Sequence, residues 1–364
     1  MTENRIRILH IASLHNYLSS GVGVVVPQHI RAQQRYADVA LLNIFDLEIP
    51  GIEKQLTYTP NFLWKTLEGC NFIPDIVIFH EVYHIEFCKI ARQLLQRNIP
   101  YVVVPHGCMT RTAQRKKKLK KTIANCLIFR NFLLKSHAIQ FLSKKEMDDT
   151  AKTYKSCSFI GTNGVNLSND EHQINISNVV KGIYIGRLEP YIKGIDLLVE
   201  AISLKKQNLL DAGFSINMYG PDLFQCHEQI RKMASEEDIC EMVSVCNPIF
   251  ETDKYEVIKN ADIFIQTSRT EGMPMGILEA LSYGVPCLVT KGTNLGEIIE
   301  KYDAGWVAET TAESIADKLE QAVSEKDKWK MKSRNARKLI EDNFEWGKVA
   351  AYAIEKYIQI IVRG

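Results

Sequence analysis

The sequence predicts an α/β fold with two doubly wound, Rossmann-like domains, and three observations support this prediction. Apolar runs typical of buried strands alternate with helical patterns in both halves of the chain, as in proteins built from β-α-β units. With 364 residues and 46% hydrophobic content, the chain is long enough to bury two separate cores. The polar, weakly patterned segment 171–178 is predicted to link them. The first domain is therefore predicted to span 1–172 and the second 179–343.

Each predicted domain contains five strands. In the first half the strands are predicted at Ile6–Ala12, Val39–Asn43, Asp75–His80, Tyr101–Pro105 and Ala138–Leu142. In the second half they are predicted at Lys181–Arg187, Ser215–Tyr219, Met242–Cys246, Ala261–Thr267 and Val285–Thr290.

The most informative motif runs from Arg269 to Pro286. Glu271 and Glu279 bracket a turn containing Gly and Pro, between a predicted strand and a helix that stops at Gly284. Open α/β sheets bind ligands beyond the carboxyl ends of their strands, and a helix start offers free N–H groups to a phosphate. A carboxylate one turn into the helix can accept hydrogen bonds from ribose hydroxyls. The motif therefore predicts a sugar-nucleotide site.

A second strand–loop–helix motif spans Lys181 to Ile202. Its strand ends near Arg187, and its helix begins at about Gly194. Arg187 and Lys193 lie at the mouth of the loop, where a guanidinium fork and a compact ammonium suit a diphosphate. The alternative is one arginine and one lysine on a solvated loop.

Together these motifs resemble family 4 of the retaining glycosyltransferases, also called glycosyl transferases group 1. The two glutamates have the seven-residue separation of that family's signature, and the segment around Arg187 and Lys193 resembles its diphosphate clamp. The resemblance covers most of the chain and is strongest from Lys181 to Glu309. It implies the GT-B architecture, in which two Rossmann-like domains face a cleft and a C-terminal helix, here 344–364, crosses back to the first domain.

The resemblance also implies a division of labour. The first domain would bind the acceptor, and the second would bind a nucleotide-diphosphate-sugar, most commonly a UDP- or GDP-sugar, without a divalent metal. Arg187 and Lys193 would neutralise the diphosphate, Glu279 would accept the ribose hydroxyls, and Glu271 would orient the donor sugar. The helix start contributes the remaining predicted donor contacts, Gly272, Met273, Pro274, Met275 and Gly276. Consistent with a metal-free reaction, the sequence has no Asp-x-Asp motif.

The first half holds three weaker candidates. Gly21 and Gly23 follow the first strand, where they form either a simple turn or, as the resemblance implies, a glycine-rich loop reaching the donor diphosphate. His106, between Pro and Gly at a strand end, is either structural or, by the same resemblance, a catalytic contact to the transferred sugar. The segment 161–166 is predicted to be mainly structural, with Asn163 in a tight turn.

A basic segment stands apart from the donor site. Residues 101–150 carry 11 Lys and Arg against 3 Asp and Glu, whereas the whole chain has a net charge of only +2. A basic amphipathic helix here predicts docking on an anionic membrane surface, and the alternative is a solvated face of a packed helix. Nucleic-acid binding is disfavoured because no nucleic-acid module accompanies the patch. The predicted docking residues are Arg115, Lys116, Lys117, Lys118, Lys120 and Lys121.

The remaining features concern location and acceptor. Nine cysteines without paired spacing indicate a reducing compartment, and neither a signal peptide nor a membrane span is recognisable. We therefore expect a cytoplasmic protein, peripheral at the inner face of the cell membrane. The expected acceptor is a saccharide, in particular a lipid-linked one from bacterial surface polysaccharide (capsule, O-antigen or lipopolysaccharide) synthesis. Two alternatives are a GT-B sugar-nucleotide 2-epimerase and a non-catalytic nucleotide-sugar-binding scaffold subunit.

Overall fold

The computed structural model describes residues 5–15, 21–45, 47–59, 63–115, 124–150, 154, 157–168 and 179–363. The chain forms two compact units. The first contains the residues up to Gly164 together with Trp346–Gly364, and the second is Val165–Glu345. The units thus divide slightly before the predicted linker at 171–178, which lies outside the described residues.

The first unit is built on a parallel sheet of seven strands. They are β1 (Arg7–Ala12), β2 (Asp38–Asn43), β3 (Gln55–Thr57), β4 (Ile76–His80), β5 (Tyr101–Val104), β6 (Ala138–Phe141) and β7 (Ser158–Ile160). Their order is β3-β2-β1-β4-β5-β6-β7. The five predicted strands are confirmed, while the three-residue strands β3 and β7 were missed because so short a run carries no periodic pattern.

Helices surround this sheet. They are α1 (Gly21–Gln33), α2 (Leu63–Gly69), α3 (Ile85–Leu95), α4 (Arg111–Arg115), a π-helical turn (Asn125–Phe129) that continues into α5 (Arg130–Leu134), and α6 (Lys144–Asp149). Strands β4 and β5 are buried along their whole length, as expected for parallel strands covered on both faces.

The second unit has a six-stranded parallel sheet. Its strands are β8 (Val180–Ile185), β9 (Phe214–Tyr219), β10 (Val243–Cys246), β11 (Ile263–Gln266), β12 (Cys287–Thr290) and β13 (Gly305–Ala308), in the order β10-β9-β8-β11-β12-β13. All five predicted strands are confirmed, and β13 was missed. Its helices are α7 (Ile195–Leu204), α8 (Lys206–Asp211), α9 (Cys226–Glu236), α10 (Glu251–Lys259), α11 (Met275–Tyr283), α12 (Gly296–Tyr302), α13 (Ala312–Ser324) and α14 (Trp329–Asn343), with 3₁₀ turns at Lys291–Thr293 and Lys326–Lys328.

The last helix, α15 (Trp346–Arg363), belongs to the first unit, as the resemblance implies. Its first turns bury Trp346, Val349 and Ala350 against Ala32 of α1. Within the described part of the chain, no helix is both long and apolar enough to cross a membrane.

Both sheets reverse their strand order at the centre. The order changes direction between β1 and β4 in the first unit and between β8 and β11 in the second. The loops that follow these strands diverge to opposite sides, which opens a crevice at the carboxyl ends of the strands. The two sequence motifs of the second half follow β8 and β11, so the fold places both at one crevice.

Candidate donor site at the centre of the second sheet

The two motifs meet in an ion pair. Lys193 Nζ lies 2.6 Å from Glu271 Oε1, and each side chain is only 11% exposed. The same oxygen accepts hydrogen bonds from Gln266 Nε2 and Ser268 Oγ, both at 2.7 Å. Among the described residues, no donor reaches Oε2 of Glu271. One carboxylate oxygen is therefore held by three donors, and the other is left for a ligand.

The sequence identified only part of this cluster. Gln266 and Ser268 were not predicted, because they lie at the end of an apolar run that was interpreted as strand alone. The signal was present, since polar residues at the carboxyl end of a central parallel strand face the crevice.

Hydrogen bonds between the loops hold the ion pair in place. Thr267 Oγ1 donates to the Gly194 carbonyl at 2.8 Å, and Arg269 N donates to the Ile192 carbonyl at 3.0 Å. Glu271 N donates to the Gly292 carbonyl at 3.0 Å, which ties the loop after β11 to the loop after β12. The loops are thus fixed before any ligand arrives, as preorganised binding requires.

A second ion pair braces the rim. The Arg269 guanidinium binds both oxygens of Asp196 in the first turn of α7, at 2.6 and 2.8 Å. It also donates to the Tyr191 carbonyl at 2.6 Å and stacks on the Tyr191 ring at 4.1 Å. The hydrogen bond from Asp196 raises the pKa of Arg269, so the guanidinium stays charged.

Gly194→Ala is expected to destabilise the second unit by about 2–4 kcal/mol. Gly194 has a φ of +62°, and an added Cβ would lie 2.0 Å from the Thr267 carbonyl oxygen. Gly272→Ala is the matched control, because a Cβ there meets nothing within 4 Å. Urea denaturation of both variants tests the prediction, and equal stability of the two would contradict it.

The start of α11 is an open anion site. Pro274 occupies the N-cap position with extended backbone and makes no side-chain cap. The N–H groups of Met275 and Gly276 have no hydrogen-bond partner among the described residues. Gly276 also allows close packing, since an added Cβ would lie 3.0 Å from the Phe264 ring. This helix start therefore offers two donors and the positive end of the helix dipole to a phosphate.

Gly272 and Met273 lie in the loop before this helix. The Asn294 amide donates to the Gly272 carbonyl at 3.1 Å and to the Glu271 carbonyl. The loop conformation is thereby set by a residue from the next β-α connection, which the sequence did not single out.

Glu279 is buried and already paired. It lies one turn into α11, is 9% exposed, and its Oε2 is 2.5 Å from Lys254 Nζ of α10. The contact is an ion pair, and Oε2 has no hydrogen-bond partner among the described residues. Lys254 was not predicted. It compensates the charge of a carboxylate that the sequence assigns to ribose binding.

Arg187 is not part of the Lys193–Glu271 cluster. Its side chain is 58% exposed and pairs with Glu189 at 2.6 Å. An ion pair this exposed is weak and can be exchanged for a phosphate. The Tyr184 hydroxyl donates to the Arg187 carbonyl at 2.8 Å and so fixes the backbone at the strand end. Burial raises the pKa of Tyr184 well above its ordinary value.

His106 lies in the first unit, two residues after the end of β5. Its φ is +50° and that of Gly107 is +80°, so two consecutive residues adopt left-handed backbone. Gly107 N donates to Glu146 Oε1 at 2.5 Å, and Leu142 N donates to Glu146 Oε2 at 2.7 Å. Burial raises the pKa of Glu146, against the lowering by these two hydrogen bonds. A buried carboxylate therefore holds the strained turn.

Two predictions for the first unit are wrong in detail. Gly21 and Gly23 lie in the first turn of α1 and not in a loop, because the apolar run after them continues as a buried helix face. Asn163 lies in irregular extended chain, where its Oδ1 is 3.2 Å from His29 Nε2, and not in a tight turn.

The predicted docking segment is only partly described. Arg115 ends α4, while Lys116, Lys117, Lys118, Lys120 and Lys121 lie outside the described residues. The helical chain that follows buries Phe129, Phe132 and Leu133 and exposes Ile128 and Leu134. Over the described ranges, no group of three or more His, Cys, Asp or Glu residues is arranged to hold a metal ion.

Known proteins resemble this chain in both sequence and fold. Residues 169–339 match the family model described as glycosyl transferases group 1. An uncharacterized glycosyltransferase of Methanocaldococcus jannaschii is 21% identical over 93% of this chain and 90% of its own. The O-antigen biosynthesis glycosyltransferase WbnH of Escherichia coli is 23% identical over 81% of each chain.

Solved structures show the same fold. Anabaena HepE in complex with UDP aligns with a TM-score of 0.75 at 15% identity, over 97% of this chain and all of that one. The fold class predicted from the sequence is thereby confirmed. Residues 169–339, most of the second unit, are thus similar to the glycosyl transferases group 1 family, and the chain is a glycosyltransferase with the GT-B fold.

Proposed function

We propose that this glycosyltransferase moves a sugar, with retention of configuration, from a UDP- or GDP-sugar to a saccharide acceptor. The acceptor is a lipid-linked saccharide in bacterial surface polysaccharide synthesis. The name of the E. coli relative, which assigns it to O-antigen biosynthesis, supports this acceptor class. The UDP complex of HepE supports a nucleotide-linked donor.

The observation that carries the proposal is the Lys193–Glu271 pair beside an uncapped helix start. Glu271 presents one oxygen without a hydrogen-bond partner among the described residues, while the N–H groups of Met275 and Gly276 are available to bind an anion. A carboxylate suits the hydroxyls of a sugar, and the helix start suits a phosphate. A sugar joined to a diphosphate carries both kinds of group.

The chemistry follows from these charges. During transfer, the bond from the anomeric carbon to the diphosphate breaks, and a bond from that carbon to the acceptor oxygen forms. The acceptor proton passes to the departing phosphate oxygen. Lys193, Arg187 and the start of α11 stabilise the negative charge that grows on the leaving group, and Glu271 stabilises the positive charge that grows on the sugar. Protein cations perform the work of a divalent metal in this scheme.

A thermal-shift screen with UDP, GDP, ADP and their sugar conjugates, with and without EDTA, tests the donor site. A ligand that binds only the native state raises its stability, by about 2.7 kcal/mol at 100 times its Kd. We expect one nucleotide family to raise the Tm by roughly 5 °C or more, regardless of EDTA. The matching nucleoside without phosphates should have little effect. The absence of a shift with every nucleotide would contradict the proposal.

Activity assays separate the proposal from its two alternatives. A 2-epimerase would convert a sugar nucleotide without any acceptor. A scaffold subunit would bind the nucleotide without turnover. The presence of Lys193 and Glu271 in one preorganised cluster favours an enzyme over a scaffold subunit, because a subunit that only binds the nucleotide does not need to stabilise developing charge. The requirement for an acceptor distinguishes transfer from epimerisation.

We also propose that the first unit docks on the inner face of the cell membrane. The exposed apolar side chains Ile128 and Leu134 adjoin the basic Arg130 and Lys135, directly after the lysine-rich segment. This combination suits an anionic lipid surface.

Replacing Lys116, Lys117 and Lys118 by glutamine is expected to weaken binding to vesicles that contain phosphatidylglycerol. Each basic residue near an anionic surface contributes about 1 kcal/mol, so the loss should be roughly 100-fold or more at low salt. The control replaces three exposed lysines of the second unit, Lys232, Lys301 and Lys330. Equal binding of the two triple variants in vesicle co-sedimentation would count against docking by this segment.

A further inference from the structure

A chain of hydrogen bonds runs through the interior of the first unit and ends at His106. His10 Nδ1 lies 2.8 Å from His80 Nε2, and His80 Nδ1 lies 2.9 Å from His106 Nε2. His10 Nε2 lies 2.9 Å from Gln33 Oε1 of α1. His10 and His80 are fully buried, in the adjacent strands β1 and β4, and His106 follows β5.

These short distances identify hydrogen bonds between the rings rather than ligands of a common metal ion. Two nitrogen ligands of one tetrahedral metal, with bonds of 2.0–2.1 Å, lie about 3.3 Å apart, and the histidine nitrogens are closer than that. Burial favours the neutral rings and lowers the pKa of His10 to about 3. A neutral imidazole has one donor and one acceptor nitrogen. The three rings must therefore all be protonated on the same nitrogen, and the group at one end of the chain decides which.

The Gln33 oxygen at the far end of the chain sets that direction, and a backbone carbonyl orients the side chains next to Gln33. The Gly161 oxygen can only accept, so Gln140 donates to it through Nε2 at 3.0 Å and turns its Oε1 to the Tyr357 hydroxyl at 2.7 Å. Tyr357 donates its proton there, which leaves its oxygen lone pairs facing other neighbours. Gln33 Nε2 makes no close hydrogen bond in the described chain, yet it lies near enough to lower the pKa of Tyr357, against the larger opposite effect of burial. The Gln33 oxygen faces His10 at 2.9 Å, which leaves the amide nitrogen on the other side, near Tyr357.

We propose that His10 and His80 are positioning residues that hold His106 as the Nε2–H tautomer, so that its Nδ1 lone pair accepts a hydrogen bond from a substrate hydroxyl. Gln33 Oε1 can only accept, so His10 is protonated on Nε2. The Nδ1 of His10 then accepts from His80 Nε2, and the Nδ1 of His80 accepts from His106 Nε2. Contact of His106 with a sugar rests on the proposed function, but the tautomer does not.

The geometry of the turn agrees with such a role. His106 is half-buried, and its Nδ1 has no hydrogen-bond partner in the described ranges. The side chain is held by His80, and the backbone of the strained turn is held through Gly107 by Glu146. An acceptor at Nδ1 favours a hydroxyl, which brings its own proton, over a phosphate or carboxylate oxygen, which does not.

Nitrogen-15 NMR of histidine-labelled, full-length protein at pH 7.5 tests the proposal, because protonated and unprotonated ring nitrogens resonate far apart. The His106 signals are assigned by their loss in His106→Gln. We expect Nε2 protonated and Nδ1 unprotonated in His10, His80 and His106 of the wild-type protein. Gln33→Met removes the oxygen that accepts from His10 Nε2, and Tyr357→Phe removes the hydroxyl beside the Gln33 amide. Each is expected to convert His106 into a mixture of both tautomers.

Tyr352→Phe is the matched control, since Tyr352 lies on the same helix and its ring is 43% exposed. It should keep the wild-type spectrum. In a transfer assay, Tyr357→Phe and Gln33→Met should each lower the rate about tenfold, which corresponds to the free energy of one hydrogen bond. Tyr352→Phe should keep the full rate.

Either of two spectra would overturn the proposal: a wild-type His106 protonated on Nδ1, or an unchanged His106 tautomer in both chain variants. A wild-type protein that has the expected tautomers but transfers no sugar would instead overturn the proposed function.

Discussion

Glu271→Gln is expected to lower sugar transfer at least about 100-fold, because the neutral amide no longer stabilises positive charge on the donor sugar. Lys193→Met should cause a similar loss, since it removes the cation expected to face the diphosphate. Both effects should appear in kcat, as the interactions strengthen when charge develops. Initial rates with saturating donor and acceptor measure them. Retained activity in either variant would contradict the catalytic roles assigned to Glu271 and Lys193.

The same two variants are expected to unfold more easily, and this must be separated from the catalytic effect. Each single substitution leaves the partner charge buried and unpaired, which costs about 3 kcal/mol. The double variant, Lys193→Met with Glu271→Gln, has no unpaired charge. It should regain much of this stability but no activity. Recovery of stability without recovery of transfer distinguishes a catalytic pair from a structural one.

An exposed ion pair of the same unit supplies the control. Lys291 and Glu309 contact each other with side chains that are 62% and 60% exposed. Lys291→Met should change stability too little to measure, because solvent screens such a pair. A comparable loss at Lys291 would indicate that the second unit is sensitive to any lysine substitution.

The first unit is expected to lose stability steeply between pH 6.5 and pH 5. Burial lowers the pKa of His10 to about 3, that of His29 to about 4, and that of His80 well below its ordinary value. In the unfolded chain these groups titrate near pH 6.5. As the pH falls below 6.5, the unfolded state binds protons that the native state does not, so the free energy of unfolding decreases.

The expected slope is large. Each buried histidine contributes about 1.4 kcal/mol per pH unit between its unfolded and folded pKa values, so three together contribute roughly 4 kcal/mol per unit. The loss in free energy of unfolding is complete only below the lowered pKa values, which is more acidic than the interval from pH 6.5 to pH 5. A domain of ordinary stability would therefore open near pH 5. His106 adds to the effect in the same direction, since burial also lowers its pKa.

Hydrogen exchange followed by mass spectrometry, at a series of pH values and corrected for intrinsic exchange, measures the slope for each unit separately. Peptides from β1, β4 and β5 should lose protection below pH 6.5. Peptides from the second unit provide the internal reference, because His227 is the one histidine among the described residues of that unit. His29→Gln should remove about a third of the slope. A flat response in the first unit would show that the three rings are not neutral and buried in solution.

Local patterns determined the outline of the fold. The ten predicted strands are all present, because period and apolar run length are properties of consecutive residues. The missed strands β3 and β7 have three residues each, too few for a pattern, and the four-residue strand β13 was also missed. Gly21 and Gly23 were assigned to a loop or turn because glycine often occurs there. The burial that stabilises them in the first turn of α1 depends on tertiary packing, which the sequence does not show.

The sequence by itself identified the two charged residues that meet at the candidate donor site. Lys193 and Glu271 are 78 residues apart, and each was identified because its motif places a charged residue just after a strand. Only the tertiary structure decided how those two charged side chains are arranged and which groups they contact. The adjacency of β8 and β11 brings the two into contact, gives Glu271 the donors of Gln266 and Ser268, and leaves one oxygen open. The histidine chain is likewise invisible in the sequence, because sheet order, a long-range property, joins its three strands.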